Sequence, residues 1–257
     1  MGIASIVVFI LGYLAITLEH PLKINKTATA LVTGVLVWTI YAISTGEASE
    51  LGHHLASTSE ILFFLLGAMT LVELVDAHRG FYFVSRLIKT EKVIKLLWIV
   101  GLITFFMSAV LDNLTTAIVM VTLLRKLISN QETRKYFVGI VVIAANAGGA
   151  WSPIGDVTTT MLWIGGQVSA SGIVQSLFLP SLVALLVPLV IASYVLKNQA
   201  VGQSAASVTL SSIEERDGKI MLFAGAGSLI GVPIFKTLTH LPPYMGILLA
   251  LGLVWIL

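Results

Sequence analysis

Nine apolar stretches dominate this chain, most of them long enough to cross, or nearly cross, about 30 Å of hydrocarbon. They fall at 3–18, 28–45, 61–76, 93–111, 114–128, 137–165, 173–196, 220–235 and 244–257. Hydrophobic residues make up 57% of the chain and charged residues 11%, against about 25% charged in an average soluble domain. A soluble core cannot absorb that much apolar surface, so an all-α polytopic membrane protein is expected, with lipid as its main partner. The net charge of +2 is too small to point to nucleic acid. The absence of cysteine excludes disulfides, thiol catalysis and thiolate metal sites. The opening MGIASIVVFILGYLAITLEH has no basic n-region, so it reads as a retained first helix rather than a signal peptide. Ile6 stands where a myristoylation signal wants serine or threonine.

The loops between stretches give a topology. Loop 19–27 holds Lys23 and Lys26; loop 46–60 holds Glu47, Glu50 and Glu60 and no cation; 77–95 holds Arg79, Arg86, Lys89, Lys92 and Lys95. The positive-inside rule makes these inside, outside, inside. Segment 81–92, FYFVSRLIKTEK, mixes aromatics with cations and reads as a helix lying in the cytoplasmic interface. His53 and His54 fall in the outer loop, where Glu60 is expected to cap the next helix.

Two polar interruptions follow. Residues 108–119 read SAVLDNLTTAIV, with an aspartate, an asparagine and two threonines inside oily surroundings. The apolar run 114–124 then ends at Arg125-Lys126; eleven helical residues span only about 16 Å. Cations flank this region on both sides, at 79–95 and 125–135. A re-entrant hairpin, 93–128, turning at 108–116, satisfies both facts. The second interruption is VGIVVIAANAGGAWSPIGDVTTTMLWI at 138–164. Pro153 clashes with a preceding helical turn, and Gly148, Gly149 and Gly155 open dihedrals closed to other residues. The helix 137–165 is therefore expected to break at mid-membrane, beyond residue 145. The linker 197–219, with Glu214, Glu215, Arg216, Asp217 and Lys219, is expected in the cytoplasm.

Broken helices carrying carboxylates, amides and hydroxyls are the pattern of a secondary-transporter site. Asp112 and Asp156 lead the candidates. Each also precedes a helical run, where a carboxylate serves as a cap; the two roles are compatible. A carboxylate that holds either a proton or a sodium ion, never both, is the minimal exchanger. Asn113, Thr115, Thr116, Asn146, Ser152, Thr158 and Thr159 offer the neutral oxygens that hard cations prefer, with Ser108 and Thr160 in reach and Gly148, Gly149 and Gly155 supplying free backbone. Each hydroxyl could instead satisfy an i−4 carbonyl or a neighbouring helix. No organic cofactor is expected.

SAVLDNLTTAIVMVTLLRKLI and VVIAANAGGAWSPIGDVTTTMLW resemble the NhaD-type sodium/proton antiporters of the ion transporter superfamily. The resemblance implies exchange of sodium or lithium for protons by alternating access, in a bacterial inner membrane or a plant plastid membrane. It also implies a first repeat over 1–196, a linker at 197–219, and the start of a second, inverted half at 220–257. No second copy of either motif is present, and the chain stops inside the apolar run GILLALGLVWIL. A truncated sequence is therefore the expectation. A homodimer is left open, since relatives often dimerise.

Other classes fit less well. Arsenite and carboxylate permeases belong to the same superfamily, but an anion site wants a nearby cation or bare helix N-termini; neither polar interruption, 108–119 or 138–164, contains a basic residue. A passive channel lacks a repeated pore loop here. An intramembrane aspartyl protease would need glycine where Pro153 stands and tyrosine where Leu111 precedes Asp112.

Overall fold

The computed structural model describes residues 2–46, 49–86, 90, 92–197, 199 and 212–257, almost all of them helical or in short helix connections. It divides into two compact units, Met1–Ser59 and Glu60–Leu257.

In the first unit, α1 (Gly2–Thr17) packs on α3 (Lys26–Thr45), with a single turn, α2 (Glu19–Leu22), between them. Gly12 is where the two helices touch; a methyl group there would overlap the Thr33 side chain. Asn25 caps α3 by accepting from the backbone N–H groups of Thr27 and Ala28, which satisfies donors left orphaned at a helix start. Gly46, at φ 71°, ends it in the left-handed conformation that glycine adopts without strain.

Helix α4 (Ser49–Ala77) begins well before the apolar run at 61. The outer loop expected over 46–60 is thus largely helical, and Glu50, His53, His54 and Glu60 ride on it. Glu60 is interior to the helix and does not cap it. Glu47 lies outside the described residues.

The second unit has α8 (Gln131–Ala150) at its centre. Against it pack α6 (Val93–Ser108), α7 (Asn113–Leu127) and α10 (Ala170–Val195). Phe105, Met120, Leu124, Phe137, Val141 and Leu189 are fully buried between them. A second cluster joins α4, the half-helix α9 (Val157–Ile164), α11 (Ser212–Thr239) and α12 (Pro243–Ile256) through Phe64, Leu71, Trp163, Leu229 and Ile247. Gly225 lets α11 approach Val75 of α4. Elsewhere the surface is oily: Leu179, Ile191, Tyr194, Phe223 and Leu253 are all more than half exposed. Water would not tolerate such continuous apolar faces on a monomer, whereas lipid does.

Four helices among the described residues are long and apolar enough to cross a bilayer: Lys26–Thr45, Glu50–Ala77, Ala170–Val195 and Glu214–Thr239. Helices Gly2–Thr17, Val93–Ser108 and Pro243–Ile256 are apolar but shorter. The cytoplasmic linker expected at 197–219 is helical from Ser212 onward, so its charged cluster forms the first turns of α11; 198 and 200–211 lie outside the described residues. Of the interfacial segment 81–92, the single-turn helix α5 covers Tyr82–Arg86, and 87–89 and 91 are likewise outside.

Candidate functional site

The two polar interruptions meet. Helix α6 ends at Ser108, and α7 starts at Asn113 after a four-residue link. The end of α6 touches the end of α8: a methyl group on Gly148 would overlap the Phe105 carbonyl. The start of α7 lies beside Asn146, and its far end beside the start of α8, where Arg134 donates to the Ile128 carbonyl. So α7 doubles back on α6 as a helical hairpin, and both lie along α8. The turn is shorter than the span 108–116 expected from sequence, because Thr115 and Thr116 are already helical.

Helix α8 does not break at Asn146. It runs through Asn146, Gly148 and Gly149 to Ala150, and the irregular stretch is 151–156. Pro153 forces the interruption; the two glycines do a different job. With no Cβ they admit close backbone neighbours, Phe105 at Gly148 and Gly155 at Gly149. Gly155 in turn faces the Ser108 carbonyl and Gly149 Cα. Three glycines therefore seat the hairpin turn against the break.

Both aspartates are N-caps. Asp112 accepts from the Thr115 N–H at 2.8 Å through Oδ1 and from the Thr115 hydroxyl at 2.6 Å through Oδ2. Asp156 accepts from the Thr158 N–H at 2.7 Å through Oδ1. Its Oδ2 accepts from Asn113 Nδ2 at 2.7 Å, a charge-assisted bond of the short, strong kind. Asn113 Nδ2 also lies 3.2 Å from Asn146 Oδ1, and Asn146 Nδ2 donates back to the Val142 carbonyl. Asn113 thus ties the start of α7 to the end of α8 and the start of α9.

The remaining candidates divide. Thr159 donates to the carbonyls of Ser152 and Asp156, each at 3.0 Å, and Thr160 donates to the Asp156 carbonyl. Ser108, fully buried, donates to the Ala145 carbonyl at 2.6 Å, and Ser152 Oγ accepts from the Ile154 N–H. These four brace the break. Thr116 differs: it is fully buried and its hydroxyl has no hydrogen-bonding partner in the protein. The indole N–H of Trp151, at the break itself, is likewise unpartnered, and sequence reasoning gave that tryptophan no role. Trp151 stacks on Phe105 and meets Phe178 edge-on, a cluster legible only once α6, α8 and α10 are assembled. No group of three or more histidines and carboxylates placed to hold a metal occurs among the described residues.

A multi-pass membrane protein, helical in almost all of its described residues and interrupted at two helix-capping carboxylates, is the class that this fold and site define. The chain belongs to the citrate transporter family CitMHS, which it matches over residues 7–256. Among curated proteins it is 50% identical to Sodium/proton antiporter 1 of Arabidopsis thaliana, over 99% of this chain and 45% of that protein. It is 48% identical to Sodium/proton antiporter 2 of the same plant, over 97% and 60%. Identity to the Na(+)/H(+) antiporter NhaD of Vibrio cholerae is 33%, over 98% and 54%. The NhaD-type resemblance carried by the two motifs therefore extends along the whole chain. The chain spans about half the length of these relatives. No solved structure matches it.

Proposed function

We propose that the protein exchanges sodium or lithium ions for protons across a membrane by alternating access, with the ion held between segments 108–116 and 146–160. The observation that carries this reading is the Asn113–Asp156 bond, which draws the two interrupted motifs into one polar cluster. Interrupted helices meeting at carboxylates and neutral oxygens suit a small hard cation. Asp112 and Asp156 would accept either the cation or a proton. Asn113, Asn146, Thr115, Thr116 and Thr158 would supply neutral oxygens, with Ser108, Ser152, Thr159 and Thr160 bracing them. The names of the plant and Vibrio relatives support sodium and protons.

The family description would suggest a carboxylate as cargo. The helix ends argue against it. An anion needs a cation or a bare helix N-terminus, yet the starts of α7 and α9 already carry Asp112 and Asp156. A dicarboxylate would meet two like charges.

The half-bilayer hairpin, with 79–95 and 125–135 both cytoplasmic, completes the reading. The membrane would be a bacterial inner membrane or a plastid membrane, and an inverted second half would complete the site. The test is sodium-driven proton movement by the full-length protein in inverted vesicles. Asp112→Asn and Asp156→Asn should each abolish it at unchanged membrane levels, because asparagine keeps size and hydrogen bonding but cannot trade a proton for a cation. Normal exchange by Asp156→Asn would reduce that residue to a helix cap and remove half of the proposed site.

A further inference from the structure

Helix α9 is only two turns long, with an irregular stretch before it and Gly165-Gly166 after it. An isolated helix this short does not hold itself together in water or elsewhere without tertiary contacts. Its start carries Asp156. Its end is gripped by Lys236 of α11, the one lysine or arginine beyond Lys219 in that helix. Lys236 Nζ donates to the Trp163 carbonyl at 3.3 Å and sits 4.6 Å above the centre of the Trp163 ring. Trp163 is 3% exposed and meets Phe64 of α4 edge-on, with ring centres 6.3 Å apart. One turn before Phe64 on the same helix stands Glu60.

A charged side chain at the edge of a membrane-spanning helix is costly unless it has partners and a task. Lys236 has two partners: a carbonyl at the negative end of α9, where a cation is favoured, and an aromatic face. With the Trp163–Phe64 contact they bring α4, α9 and α11 together at one point. We infer that Lys236 is a positioning residue for ion binding: by pinning the end of α9 it holds Asp156, at the other end, against Asn113. This rests on the reading that Asp156 binds the ion.

The experiment uses the full-length protein, which offers a cysteine-free chain over these 257 residues. Lys236→Met removes charge and donor at similar length. It should raise the half-saturating sodium concentration about fivefold, the scale of one partly desolvated cation–π contact, at an unchanged maximal rate. Lys236→Arg should restore the parent value. Lys236→Gln, which keeps a donor but no charge, should shift in the same direction and replaces Lys236→Met if that variant does not accumulate. In parallel, a nitroxide on Leu162→Cys, in the last turn of α9, should show a sharper, more mobile spectrum with Lys236→Met and not with Lys236→Arg. An unchanged nitroxide spectrum overturns the inference whatever transport does. A mobile spectrum with unchanged half-saturation also overturns it, since α9 would then be anchored without placing Asp156. A protein that exchanges no sodium at all sinks the antiport reading instead, and the spectrum still decides whether Lys236 anchors α9.

Discussion

The side-chain amide of Asn113 donates to Asp156 Oδ2 across 2.7 Å, joining residues 43 apart in sequence. The bond costs Asp156 none of its cap, because the Thr158 N–H takes the other oxygen. Asn113→Ala should therefore leave α9 capped and the protein in the membrane. It should raise the half-saturating sodium concentration about tenfold, the scale of one lost hydrogen bond to a charged group. Sodium titration of vesicle exchange measures this; an unchanged midpoint would mean that Asn113 only fastens helices.

Thr116 carries a buried hydroxyl without a partner, which burdens the fold by about 1–3 kcal/mol. Thr116→Val keeps the shape and removes the burden. The variant should melt at a higher temperature than the parent without sodium, yet gain less protection when sodium is added. Melting in detergent, with and without sodium, checks both signs. Equal protection in both proteins would free Thr116 from any ion role.

Glycine positions should split sharply. A methyl group at Gly155 or Gly148 would strike backbone carbonyls, those of Ser108 and Phe105, and backbone cannot swing aside as a side-chain tip can. Gly155→Ala and Gly148→Ala should each cost on the order of 1–3 kcal/mol, the usual toll of overpacking. Gly139, also in α8, faces open space, so Gly139→Ala should be neutral or gain about 0.5–1 kcal/mol from helix propensity. Comparing their detergent melting temperatures tests the contrast.

Topology can be read with single cysteines. Gln131→Cys, at the exposed start of α8, and Lys197→Cys, just past the end of α10, should react with an impermeant thiol reagent only from the cytoplasmic side. Gly52→Cys, on the exposed first turns of α4, should react only from outside. Labelling of position 131 from outside would sink the re-entrant pair and make 93–111 a simple span.

The sequence revealed α6, α7, α10 and α12 to within a few residues, because helices in lipid are apolar along their length rather than in a stripe. It revealed both capping aspartates, since Asp followed by a helical run is a local signal. It missed the helical course of 49–60, where Glu50, His53 and Ser57 looked like loop. Hydropathy reports depth in lipid, not backbone conformation, and α4 continues past the apolar zone. Gly148 and Gly149 were read as the break, yet α8 runs through them; what they serve, contact with α6 and with Gly155, lies far off in sequence. Pro180, Pro188 and Pro233 sit inside helices, as long apolar helices with close neighbours allow. The grip of Lys236 on Trp163 joins residues 73 apart and had no local signature at all.

The backbone contacts at Gly148, Gly149 and Gly155 have an evolutionary consequence. They seat the hairpin turn against the break through backbone atoms, with no side chain at any of the three positions. Three positions with no side chain are then the part of the segment least free to vary.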